Sequence, residues 1–310
     1  NQREKLNKQV ANNIEKKMKN NTQDSLVVQI DQKEKIKTLQ NFIETKVDFP
    51  LLQNLLEEVF RKARAGEERF QKIQEVITLK SVVFVDSQYT DGFVISGEGK
   101  VFLDIEGFLE KGKIKKVALL DTLIHEFLHL TSERKHVDTD HSNFGVAHAS
   151  FHEGVSHDMF VGVDEGMTEI LKDCLVSEYL KRSGDMGKFP AGKDNLDAYE
   201  FQRSVLDIII TELSKESGVS KETIFKGMVE AYCSNRSLFS EDIFGKIENP
   251  LLKKYLLLVS DVDSLVTSVD FGIKKKKTLA ELVEQICALF KKNDTSRYYV
   301  QALFGEDYLK

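Results

Sequence analysis

All seven histidines of this 310-residue chain fall between His125 and His157, at positions 125, 129, 136, 141, 148, 152 and 157. Random placement would scatter them, so something in this window wants imidazole. The first of them opens the run His125-Glu126-Phe127-Leu128-His129. Around that run Leu120, Leu123, Ile124, Phe127 and Leu128 recur at helical spacing, which predicts a helix over 116–131. Residues four apart on a helix share one face, one turn along. His125 and His129 can therefore point their imidazoles at one ion.

Zinc suits such a pair, because it accepts His nitrogen readily in tetrahedral sites. Glu126 is rotated about 100° from His125 by the helical period. Its carboxylate then lies beside the metal, within reach of a water whose pKa zinc lowers to near neutrality. The same carboxylate can later protonate a leaving nitrogen. Catalytic zinc sites use three protein ligands and keep one position open, so a third ligand is needed. Downstream, Val163-Asp164-Glu165-Gly166-Met167-Thr168-Glu169 opens the next predicted helix, over 164–180. Glu165 and Glu169 are again four apart. One can bind zinc while the other accepts the second N–H of a ligand histidine. Two neutral imidazoles and one carboxylate would leave the centre positive and an effective Lewis acid. The expected cofactor is one Zn2+ per chain.

His-Glu-x-x-His on one helix, followed by Glu-Gly-x-Thr-Glu on the next, resembles the gluzincin class of zinc metallopeptidases. That class includes the thermolysin-like and zinc aminopeptidase families. The resemblance implies zinc held by His125, His129 and Glu165, Glu126 as general base, and Glu169 orienting a ligand histidine. It covers about 60 residues, from the end of the sheet described below to the glutamate helix. The spacing from His129 to Glu165 is longer than in thermolysin-like enzymes, which implies a histidine-bearing insertion. The Gly-x-Met-Glu-Asn run by which zinc aminopeptidases hold a substrate amine is absent, which favours an endopeptidase. The metzincin pattern fails, since it needs Gly at Ser132 and His at Lys135.

A zinc peptidase also needs a donor for the tetrahedral oxyanion. Tyr199, at the start of a helix after the polar 183–195 loop, is the favoured candidate. His148, His152 and His157 are alternatives. Lys100–Ile105 reads as a strand near the active helix, where an extended substrate can pair through its backbone.

The rest of the chain frames this site. Residues 1–47 are rich in Lys, Glu, Asn and Gln and predict a polar helical arm. Asp48 and Pro50 open a helix, which Gly66 is expected to end. Three short apolar runs over 77–105 predict a small sheet with at least one hairpin. Residues 131–160 are polar and predict an irregular stretch. Beyond 196 the pattern is helical to the end. The expected fold is α+β and predominantly helical: a zincin-like catalytic subdomain over 48–182, with its sheet ahead of the active helix, and a helical subdomain over 196–310.

Composition removes other classes. The net charge is −6 with both signs interspersed, which argues against a nucleic-acid binder. No apolar run is long enough to predict a membrane span. Cys174, Cys233 and Cys287 are widely separated in helical apolar contexts and read as small buried hydrophobes rather than a disulfide framework. That fits a cytoplasmic protein or one secreted without disulfides, and a start at Asn1 is compatible with a removed signal peptide. The expected partner is a protein or peptide substrate. Two other readings stand beside this one. An HD-type metal-dependent phosphohydrolase would use His157-Asp158 on an all-helical fold. A non-catalytic zinc protein would use its long helices to bind a partner.

Overall fold

The computed structural model describes residues 25–87, 91–95, 97–110, 113–135, 142–146, 148–152, 155–159, 161–184 and 218–234, with scattered positions between 203 and 215. Within these residues the protein is mostly helical, with one three-stranded sheet, an α+β architecture. Tyr199, Cys287, most of the segment from 196 to 310 and the first half of the expected arm lie outside the described residues.

Helix α1 (Ser25–Lys46) docks through its second half, where Leu39, Phe42 and Ile43 are buried in the main core. Helix α2 (Phe49–Lys62) starts as the sequence requires. The Asp48 side chain accepts the Leu51 N–H at 2.9 Å, and Pro50 sits in the first turn. Leu52, Leu55, Leu56, Val59 and Phe60 form its buried stripe. Its end differs from expectation. The helix stops at Lys62, and Arg64 rather than a glycine takes the left-handed turn at φ 55°. Gly66 has ordinary extended backbone and begins helix α3 (Glu67–Val76).

The sheet comprises β1 (Val82–Val85), β2 (Gly92–Val94) and β3 (Val101–Asp104) in the order β1-β3-β2. The expected hairpin is β2–β3, antiparallel with Phe93 opposite Phe102. β1 runs parallel to β3, with Val82 opposite Val101. This order revises one expectation. β3, which carries most of Lys100–Ile105, is paired on both sides and has no edge to offer a substrate. β1 and β2 are the terminal strands, and β2 packs against the histidine helix.

A two-residue ladder, β4 (Leu109–Glu110) with β5 (Lys113–Ile114), leads into helix α4 (Lys116–Ser132), which carries His125, Glu126 and His129. Every residue of α4 from Leu123 to Ser132 is buried. A helix enclosed on all sides must find partners for its polar groups within the protein. Its last carbonyls have them. Arg69, itself buried, donates through Nη1 to Thr131 O at 3.1 Å and Glu133 O at 2.7 Å, and Lys72 Nζ donates to Glu133 O at 2.7 Å. The Glu133 carboxylate accepts the Gly97 N–H at 2.8 Å, tying the β2–β3 turn to the same helix end. These bonds hold the histidine helix along its own axis.

Where an irregular stretch is expected over 131–160, the described residues include two antiparallel ladders. β6 (Arg134–Lys135) pairs with β7 (Ser142–Asn143), and β8 (His148–His152) pairs with β9 (Val155–Met159). Helix α5 (Val161–Arg182) follows and lies against α4. Helix α6 (Lys221–Ser234) closes the arrangement. Its Ile224, Phe225, Met228 and Tyr232 belong to the same buried cluster as Leu123 and Phe127 of α4 and Met167 and Leu171 of α5. Cys174 and Cys233 are buried and free, as expected of small hydrophobes. No described helix is long and apolar enough to cross a membrane.

Candidate metal centre

Three side chains from two helices meet between α4 and α5. His129 Nε2 lies 3.0 Å from His125 Nε2 and 3.2 Å from Glu165 Oε2. His125 Nε2 lies 3.4 Å from the same oxygen. All three residues are buried, and they form the one group among the described residues arranged to hold a metal ion. Three electron-pair donors converging at this range repel one another unless a cation or proton sits among them.

The edges of the triangle suit a small tetrahedral ion such as zinc. Tetrahedral zinc with ligands at about 2.0–2.1 Å has neighbouring ligand atoms about 3.3–3.4 Å apart. Edges of 3.0, 3.2 and 3.4 Å come within a few tenths of an ångström of one face of that tetrahedron. The donor set, two imidazoles and a carboxylate, is one that zinc takes in catalytic sites.

Each histidine is held from behind. His125 Nδ1 donates to Glu169 Oε1 at 2.8 Å, and its Nε2 faces the other two donor atoms. The ring planes of His125 and His129 are nearly crossed, at 71°, so the two Nε2 atoms converge without stacking. Asp164 Oδ2 stands 3.5 Å from His129 Nδ1, and Asp164 Oδ1 accepts the Val146 N–H at 2.7 Å. Phe144 meets the His129 ring edge-on at a centroid distance of 6.2 Å.

Burial opposes charge throughout this cluster, and the contacts decide the outcome. Desolvation works against a charged His125, but Glu165 and Glu169 raise its pKa to about 9 in the metal-free protein. His129 rises to about 10 against the same burial, through Glu165 and Asp164. Burial raises the Asp164 pKa, with His129 and the Val146 N–H partly offsetting it. Burial also opposes the Glu169 charge, yet His125 and Lys172 on its two oxygens bring its pKa below the ordinary value.

Glu126, one residue beyond His125, faces β2. A Cβ placed on Gly92 would come 2.6 Å from Thr122 Cγ2, 2.9 Å from Glu126 Cγ and 3.2 Å from Glu126 Oε1. Only glycine lets the strand approach the helix this closely. Gly145 plays the same part on the other side. Its φ is +49°, and a Cβ there would lie 2.1 Å from Asp164 Oδ1 and 2.4 Å from Tyr232 Cε2. The bare backbone lets Val146 reach the Asp164 carboxylate.

Of the sequence-predicted residues, the structure brings His125, His129, Glu165 and Glu169 into contact, with Glu126 buried and turned towards Gly92 of β2. Tyr199 lies outside the described residues. His148, His152 and His157 occupy one face of the β8–β9 hairpin by register, with Ser150 between the first two and opposite the third. Their side chains lie outside the described residues. Sequence reasoning missed Asp164, Lys172, Gly92 and Gly145. One signal was available: the logic that gave His125 a carboxylate partner also demands one for His129, and Asp164 adjoins Glu165. Comparisons with protein-family models, curated proteins and solved structures find no match for this chain.

Proposed function

We propose that this protein is a zinc-dependent endopeptidase of the zincin type, with one zinc ion held by His125, His129 and Glu165. The observation that carries the reading is the triangle of donor atoms with edges of 3.0–3.4 Å and Glu126 one residue from its first corner. Bound zinc supplies Lewis acidity that brings the pKa of water near neutrality and polarises a carbonyl. Glu126 takes the proton of the attacking water and passes it to the leaving amine. Gly92, without a Cβ, leaves the space against β2 that the Glu126 side chain occupies. Glu169 and Asp164 hold the two imidazoles in the orientation and tautomer that present Nε2. An extended protein or peptide substrate pairs with β2, the end strand against α4, in place of Lys100–Ile105. Tyr199 is the proposed donor to the tetrahedral oxyanion.

The HD-type phosphohydrolase draws no support from the fold. His157 and Asp158 are consecutive on strand β9, so they alternate across its two faces. A non-catalytic zinc protein would have no use for a buried glutamate next to His125.

Two variants test the reading. Glu126→Gln should keep one zinc per chain and lose hydrolysis, measured by elemental analysis and by proteome-wide cleavage. Glu165→Ala should lose the metal. Wild-type protein that binds no zinc, or Glu126→Gln protein that cleaves at the wild-type rate, would overturn the proposal.

A further inference from the structure

Lys172 has no assigned task in the chemistry above, yet it is among the most enclosed charges in the protein. It sits on α5 at 5% exposure, one turn beyond Glu169. Its ammonium lies 2.7 Å from Glu169 Oε2 and 2.7 Å from Asp121 Oδ2, with Asp173 Oδ1 farther away at 3.4 Å. Asp173 has its own cation in Arg203, so the short contacts of Lys172 are the two that matter. Asp121 belongs to α4, one turn ahead of His125. Lys172 therefore joins a carboxylate on each of the two metal-binding helices.

The division of oxygens on Glu169 gives this arrangement a consequence. Oε2 faces Lys172 at 2.7 Å and Oε1 faces His125 Nδ1 at 2.8 Å. A carboxylate is free to rotate about its last bond unless both oxygens are engaged. With Lys172 in place one oxygen is pinned, so the other is aimed at the imidazole. The second contact, to Asp121 at 2.7 Å, holds the ammonium from the neighbouring helix. A buried ammonium is costly to enclose, and a methionine of similar shape would fill the same space without that cost.

We propose that Lys172 is a positioning residue for the metal centre: clamped between Asp121 and Glu169, it orients the Glu169 carboxylate and through it the His125 imidazole. The inference rests on the zinc reading above. It predicts that zinc affinity depends on a residue that touches no ligand atom.

The test is a double-mutant cycle on zinc affinity, measured by competition with a chromophoric chelator at fixed pH. The variants are Lys172→Met, Glu169→Gln and the pair. Partners behind metal-bound histidines are worth about 10–100-fold in affinity. Lys172→Met should weaken zinc binding about tenfold in the wild-type background and have little further effect beside Glu169→Gln. The His125 Nδ1–H proton resonance of the zinc-loaded protein should shift or broaden in Lys172→Met, a change that loss of packing elsewhere would not produce. Should Lys172→Met fail to fold, Asp121→Asn relaxes the clamp from its other end and should weaken zinc about threefold. Unchanged zinc affinity in the folded variants, or an equal loss with and without Glu169, overturns the inference and leaves the zinc reading standing. Wild-type protein that binds no zinc overturns both.

Discussion

Gly92→Ala perturbs the proposed general base without touching a ligand. The three atoms nearest an added Cβ belong to Thr122 and Glu126, at 2.6, 2.9 and 3.2 Å. Carbon atoms in contact prefer about 3.5–4.0 Å, so the overlap is about 1 Å. Neither neighbour yields cheaply. Thr122 is β-branched and stiff at its first torsion. The Glu126 atom at 2.9 Å is its Cγ, near the backbone, so moving it swings the carboxylate. A displacement of about 1 Å at a reacting group costs on the order of 100-fold in rate, or about 2.7 kcal/mol of transition-state stabilisation. Gly92→Ala should therefore keep one zinc per chain and lower kcat/KM about 100-fold on any peptide the wild type cleaves. The assay pairs elemental analysis with steady-state hydrolysis. A second Gly92→Ala, made in the Glu126→Gln background, should add little, because both changes act on one group. A folded Gly92→Ala protein with wild-type kcat/KM would refute the reasoning. Lost zinc would refute it too, by showing that β2 supports the ligands rather than the base.

Gly145→Ala should weaken zinc binding about tenfold by pushing the 144–146 segment off Asp164 and releasing His129; chelator competition reads this out. Arg69→Met removes the buried donor to Thr131 O and Glu133 O and should cost about 2–3 kcal/mol of stability, seen as a lower denaturation midpoint in urea. Chelating the metal should lower Tm, since zinc at a thousandfold excess over its Kd stabilises a folded state that alone binds it by about 4 kcal/mol. A Tm indifferent to chelator would mean that the cluster holds no ion.

Several structural facts were legible because they are local. The helix over 116–131 was readable from apolar spacing, and the structure places α4 at Lys116–Ser132. Asp48 and Pro50 marked the start of α2 for reasons confined to one helical turn. The β2–β3 hairpin followed from two apolar runs around a glycine turn. Local reasoning failed where two devices compete for one turn. Gly66 looked like a helix end, but Arg64 takes the left-handed position two residues earlier. The hairpin of β8 and β9 was hidden by its composition. Its strands pair in register, but one face holds His148, Ser150, His152 and His157, where large hydrophobes would have signalled a buried strand.

The cluster of histidines between His125 and His157 shows where the division falls. Spacing alone put His125, Glu126 and His129 together and set Glu165 and Glu169 on a common face, because four residues make one turn of any α-helix. It left open which glutamate joins the two imidazoles, since that depends on how α5 is rotated against α4. Tertiary packing decided it: Glu165 Oε2 forms the third corner with the two Nε2 atoms, and Glu169 stands behind His125. Packing alone also brought in Asp164 behind His129, Lys172 between the helices, and Gly92 against Glu126. These contacts join residues far apart in the chain, and no periodicity carries information across such a distance.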